Sequence, residues 1–104
     1  MMDKLREIIS LKETRYSSPP SLPYGVYHDN IETSVFSSNE VCIKKHNINL
    51  DIYMKNIDKN LLKQVEDILK RENIDFNRDE IEWLTNEKLY VAYYDFFYFE
   101  KGEI

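Results

Sequence analysis

The sequence predicts an α+β domain, a mainly antiparallel sheet of about five strands with two helices on one face, in the order α-β-β-β-α-β-β. Three observations lead there. Residues 46–55, HNINLDIYMK, alternate Ile48, Leu50, Ile52 and Met54 with Asn47, Asn49, Asp51 and Tyr53. Strict period two belongs to a strand with one face on a core and the other in water. Residues 59–72 instead repeat Leu61, Leu62, Val65, Ile68 and Leu69 at helical spacing. Strand-like segments follow one another directly on either side of that helix, which favours antiparallel neighbours.

The elements follow in chain order within a single domain, 1–104. Residues 1–13 read as an N-terminal helix whose stripe is Met2, Leu5, Ile8 and Ile9. Residues 14–22 form a connector, because Ser17, Ser18, Pro19 and Pro20 deny a helix and favour extended chain. The sheet and central helix occupy 23–100. Tyr24 to Tyr27 is a first short strand, Asp29 and Asn30 a turn, Thr33 to Phe36 a second strand, and Ser37, Ser38 and Asn39 another turn. With few apolar anchors, residues 28–47 are expected to be a mobile excursion. Val41 and Ile43 sit on the opposite parity to Ile48, so a bend near Lys45 is expected to switch faces. Asp58 is the expected helix cap, Glu66–Lys70 and Asp67–Arg71 the expected surface pairs, and Asn73 the left-handed terminator. Residues 74–84 and 88–99 read as two strands around a turn at Thr85, Asn86 and Glu87.

Composition excludes several chemistries. Only two glycines occur, Gly25 and Gly102, so no glycine-rich phosphate loop or dinucleotide fingerprint is present. Cys42, the one cysteine, cannot form an internal disulfide, and between Val41 and Ile43 it reads as a small packed residue. His28 and His46 are the two histidines and read as surface residues, with no metal-ligand cluster around either. No apolar run approaches the roughly 20 residues of a membrane helix, and the N-terminal MMDKLREIIS is too charged for a secretory signal. Seven acids balance seven bases in residues 1–55, so the net charge of −5 sits in the second half. An acidic half repels phosphate and disfavours direct DNA binding. Glu80 and Glu82 share one strand face and read as a solvated sheet edge rather than a catalytic carboxylate pair. No catalytic, cofactor-binding or metal residues emerge.

The C-terminal strand stands apart. Residues 90–99, YVAYYDFFYF, hold seven of the fourteen aromatic residues. Leu89, Val91, Tyr93, Phe97 and Phe99 fall on one face, interrupted only by Asp95, and Tyr90, Ala92, Tyr94, Phe96 and Tyr98 fall on the other. Two helices can cover one face of such a sheet, which leaves the second aromatic face for a protein partner. The tyrosine-rich side, Tyr90, Tyr94, Phe96 and Tyr98, together with Trp83 and Tyr24, is the expected contact surface.

Several short segments in order around the central helix carry a resemblance over residues 22–99. They are Pro23-Tyr24-Gly25-Val26-Tyr27, Leu50-Asp51-Ile52-Tyr53-Met54-Lys55, Glu82-Trp83-Leu84, Glu87-Lys88-Leu89-Tyr90 and Tyr94-Asp95-Phe96. In these the chain resembles the tail-completion, or tail-to-head joining, neck proteins of long-tailed bacteriophages. It departs from their pattern at LDIYMKN, where the family carries a glutamate-leucine-tyrosine-threonine run. The resemblance implies an α+β fold and no enzymatic activity. It also implies a virion structural protein assembled in the bacterial host cytoplasm as a homo-oligomeric, hexameric ring. That ring would join the tail tube protein to the head-completion protein and pass DNA without specific binding. The alternative is a small acidic phage-encoded inhibitor of a host protein, motivated by Asp75, Asp79, Glu80, Glu82 and Glu87.

Overall fold

A computed structural model describes residues 1–35 and 41–103. Its elements are α1 (Met2–Arg6), β1 (Ser10–Glu13), β2 (Tyr24–Val35), β3 (Val41–Met54), α2 (Lys59–Arg71), β4 (Phe76–Arg78), β5 (Glu82–Leu84) and β6 (Leu89–Glu103). They form the mixed α+β architecture expected, with one six-stranded sheet ordered β1-β2-β3-β6-β4 and β5 also paired to β6. Every pairing is antiparallel except β1 with β2.

The core follows from the two periodicities. Ile48, Leu50, Ile52 and Met54 of β3 lie opposite Phe96, Tyr94, Ala92 and Tyr90 of β6, and directly opposed residues share a sheet face. Onto that face pack Leu61, Leu62, Val65, Ile68 and Leu69 of α2 with Met2 and Leu5 of α1. Asp58 caps α2 by accepting a hydrogen bond from the Leu61 N–H at 3.0 Å. Asn73 closes it in the left-handed region at φ 57°, and the Ile74 N–H donates back to the Leu69 carbonyl at 2.8 Å. The expected surface pairs are replaced. Asp67 bonds Lys63 instead, and Glu66 turns inward to Arg78 and Tyr94.

Four local expectations are corrected. The N-terminal helix ends at Arg6, and Ser10–Glu13 pairs with β2 as a parallel strand. β-Branched Ile8 and Ile9 weaken the helix, while Leu11 fills the space above Gly25, where a Cβ would stand 2.9 Å from Leu11 Cδ1. Tyr24–Tyr27 and Thr33–Val35 belong to one strand, β2, so Asp29 and Asn30 form no turn. β3 keeps unbroken register with both neighbours, so no bend falls near Lys45; Cys42 shares the core parity and is buried, while Ile43 lies on the other face. Residues 74–84 hold two short strands, β4 and β5, separated at Asp79–Ile81. Phe36 and the turn expected at Ser37, Ser38 and Asn39 lie outside the described residues.

The expected excursion, where described, is regular strand. β2, β3 and β6 continue past β1 and β4, so residues 28–35, 41–47 and 97–103 form a three-stranded ribbon beyond those two strands. Each strand there is held by a paired neighbour, which supplies the hydrogen bonds that a mobile loop lacks.

Candidate functional site: the uncovered face of the sheet

Among the described residues helices lie on one face only, so the register decides which aromatic residues of β6 are available. The tyrosine-rich side is the core side. Tyr94 is 0 % exposed and Phe96 5 %, which removes both from the expected contact surface. Tyr94 is anchored through its hydroxyl, which donates to Glu66 Oε2 at 2.7 Å, and Arg78 Nη1 donates to the same oxygen at 3.0 Å. Burial first, then the bond to the Glu66 carboxylate, hold this phenol well above its ordinary range.

The other expected contact residues separate by position. Tyr90 is half-buried on the core side, with the indole of Trp83 packed at 4.8 Å; Trp83 itself is 47 % exposed at the sheet edge. Tyr98 lies on the core side within the ribbon, stacked on His46 at 4.6 Å and 4°. Burial, then the charges of Asp29 and Glu100, push its phenol up to about 12. Tyr24 alone lies on the uncovered face, stacked on Tyr53 at 5.1 Å with Tyr16 edge-on at 5.5 Å.

His46 is not a surface residue. It is 8 % exposed, and its Nδ1 lies 2.6 Å from Asp29 Oδ2. The ring stacks on Tyr98 and bonds a neighbouring strand's carboxylate, while its Nε2 and Asp29 Oδ1 are buried without a hydrogen-bond partner among the described residues. Cys42 is a buried free thiol, in keeping with its apolar strand.

Sequence reasoning missed the residues that populate the uncovered face. Tyr53 and Asp51 of β3 and Tyr93, Asp95, Phe97 and Phe99 of β6 have the register parity opposite to the core. Phe99 is 62 % exposed and Phe97 46 %, with Lys45 Nζ 4.4 Å from the centre of the Phe97 ring. Asp51 is half-buried; burial raises its carboxyl above the usual range, His28 opposes this and Asp95 adds to it. The signal was present in β6 as Asp95 on one side and Ala92 on the other. A charge marks the wet face, and a small fully buried residue marks the packed one.

Among the described residues no three His, Cys, Asp or Glu side chains group as metal ligands, and no helix is long and apolar enough to cross a membrane. Glu80 and Glu82 are both exposed.

No protein-family model matches the sequence, and no curated protein matches it either. Its fold is similar to that of a chain from the virion of a native gene transfer agent (GTA) particle. The likeness has a TM-score of 0.58 at 8 % identity and covers 94 % of this chain and 84 % of the other. It is a likeness of fold.

Proposed function

We propose that the protein is a non-enzymatic structural component of a phage-like virion. Its place would be the neck, where it joins the tail tube to the head-completion protein as a homo-oligomeric ring. The observation that carries this reading is the fold shared with a gene transfer agent virion chain over 94 % of the present chain. The uncovered face supports it. Phe97 and Phe99, exposed on it, offer the large rings that protein interfaces favour. The net charge of −5 suits a conduit wall that passes DNA without holding phosphate.

Immunogold labelling of particles from the producing cells tests the placement. Label at the head–tail junction is the expected result, together with heads and tails left separate when the gene is removed. Label confined to the soluble cell fraction, with particles intact in its absence, overturns it.

A further inference from the structure

One face of the ribbon holds a buried imidazole between two carboxylates. His46 of β3 stands opposite Ile31 of β2 and Tyr98 of β6. From there its ring reaches a carboxylate on each neighbouring strand. Nδ1 lies 2.6 Å from Asp29 Oδ2, and Nε2 lies 3.5 Å from Glu100 Oε1. An ionised carboxylate only accepts, so Nδ1 carries the proton and donates to Asp29. In the neutral ring Nε2 is then a lone pair turned toward a second acceptor. It is buried without a hydrogen-bond partner among the described residues, as is Asp29 Oδ1. The Glu100 side chain is more than half exposed, so it is free to move.

A second proton on the ring reverses this mismatch. An imidazolium has a donor at each nitrogen, and each would face a carboxylate. We propose that His46 is a proton-operated clasp of the ribbon. Proton uptake at Nε2 draws Glu100 into a hydrogen bond and ties β2, β3 and β6 together through one ring. Histidine changes charge between about pH 5 and 8, while ordinary carboxylates stay ionised over most of that range. The clasp therefore closes in acid and opens as pH rises. The ribbon that it stiffens presents the exposed Phe97 and Phe99.

The other charged and titratable groups nearby leave the ring this role. Lys44 stands opposite Glu100, yet no ion pair among the described residues joins the two. Tyr98 stacks on the imidazole and, with its phenol pushed up to about 12, stays protonated throughout. Tyr27 of β2 and Asp3 of α1 complete the surroundings of Tyr98. Arg6 holds both, donating to the Tyr27 hydroxyl at 3.0 Å and to Asp3 at 2.8 Å.

Amide exchange of the full 104-residue chain at about pH 5.5 and about pH 8 tests the clasp. Each rate is divided by the intrinsic rate at that pH. Amides of residues 28–35, 41–47 and 97–103 should be about tenfold better protected in acid, the effect of one charge-assisted hydrogen bond. Imidazole nitrogen shifts of His46 should show a neutral Nδ1–H ring at the higher pH and both nitrogens protonated at the lower. His46→Gln keeps a donor for Asp29 and should abolish the difference in protection. Glu100→Gln leaves a neutral acceptor and should shrink it to about threefold, since charge-assisted bonds are roughly twice as strong as neutral ones. His28→Gln, on the uncovered face, should leave it whole.

Three results would overturn the proposal. They are ring nitrogen shifts that do not change with pH, a difference in protection that survives His46→Gln or disappears in His28→Gln, and a difference that Glu100→Gln leaves intact. If His46→Gln fails to fold, the nitrogen shifts of the wild type and the exposed Glu100→Gln substitution still decide between the outcomes.

Discussion

The two faces of the β3–β6 ladder share one backbone but differ in what lies over them. On one, Ile48, Leu50, Ile52 and Met54 meet Phe96, Tyr94 and Ala92 beneath two helices. On the other, Asn49, Asp51 and Tyr53 meet Asp95, Tyr93 and Val91 with no helix above. For β3 the pattern of side chains separates the faces without help. For β6 it does not, because aromatic rings stand on both. The difference teaches that an aromatic residue in a strand identifies neither core nor contact. What distinguishes Tyr94 from Tyr93 is its partner: a hydroxyl seated on Glu66 under α2 is a structural anchor.

That contrast breaks first at its strongest point. Tyr94→Ala should cost about 3–5 kcal/mol of stability, as for other large buried aromatics. Phe99→Ala on the exposed ribbon should stay within about 0.5 kcal/mol. Denaturant midpoints of the two variants measure the difference, and equal losses would abolish the distinction between the faces.

A finer version isolates the hydroxyl. Tyr94→Phe keeps the ring and should cost about 1–2 kcal/mol, because Glu66 loses a buried donor. Arg78 still holds the same carboxylate oxygen, so the effects of Tyr94→Phe and Arg78→Ala should be non-additive in a double-mutant cycle.

Alkaline titration reads the same face from another side. Tyr94 and Tyr98 both have phenols raised above the ordinary 10.0, Tyr98 to about 12. A raised phenol pKa means that the folded state keeps its proton where the unfolded chain has begun to lose it. Their contribution is therefore complete below pH 10 and falls as pH rises toward about 12. Urea midpoints measured across that window should decline, and Tyr98→Phe should shallow the decline.

The smallest effect belongs to the uncovered face, where the substitution removes a destabilising charge and does not cost an anchor. Asp51 has its carboxyl raised above 3.8, so its charged form detracts from folding at neutral pH, and any stabilising effect of its protonation is lost as pH rises through the folded value. Asp51→Asn should leave stability unchanged or raise it by a few tenths of a kcal/mol at pH 7. The gain should vanish on acidification. A clear loss at neutral pH would show that the carboxylate anchors the sheet.

Much of the architecture was legible because local rules and tertiary packing agree. Asp58, the stripe from Leu61 to Leu69 and Asn73 bound α2 as their chemistry requires. Ile48 to Met54 name the core face of β3 unaided. The N-terminal segment misled because Met2, Leu5 and Ile9 fit a helical stripe while Ile9 and Leu11 also fit a strand. Pairing with β2 settled that competition. The contact surface misled for a different reason. Tyr90, Tyr94, Phe96 and Tyr98 are amphipathic, and only the docking of α2 assigns their side of β6.

By itself, then, the sequence determined the α+β class, the central helix with its caps, the inward face of β3 and the lack of glycine-rich phosphate loops. These depend on residues close together in the chain, whose periodicity and capping chemistry are local. Tertiary structure alone decided that residues 28–35, 41–47 and 97–103 form a ribbon, and that His46 is buried against Asp29 and Tyr98. It also decided that Glu100 of β6 approaches the same imidazole. Each of these joins residues far apart in sequence through strand register, and a shift of one residue in register exchanges the two faces of a strand.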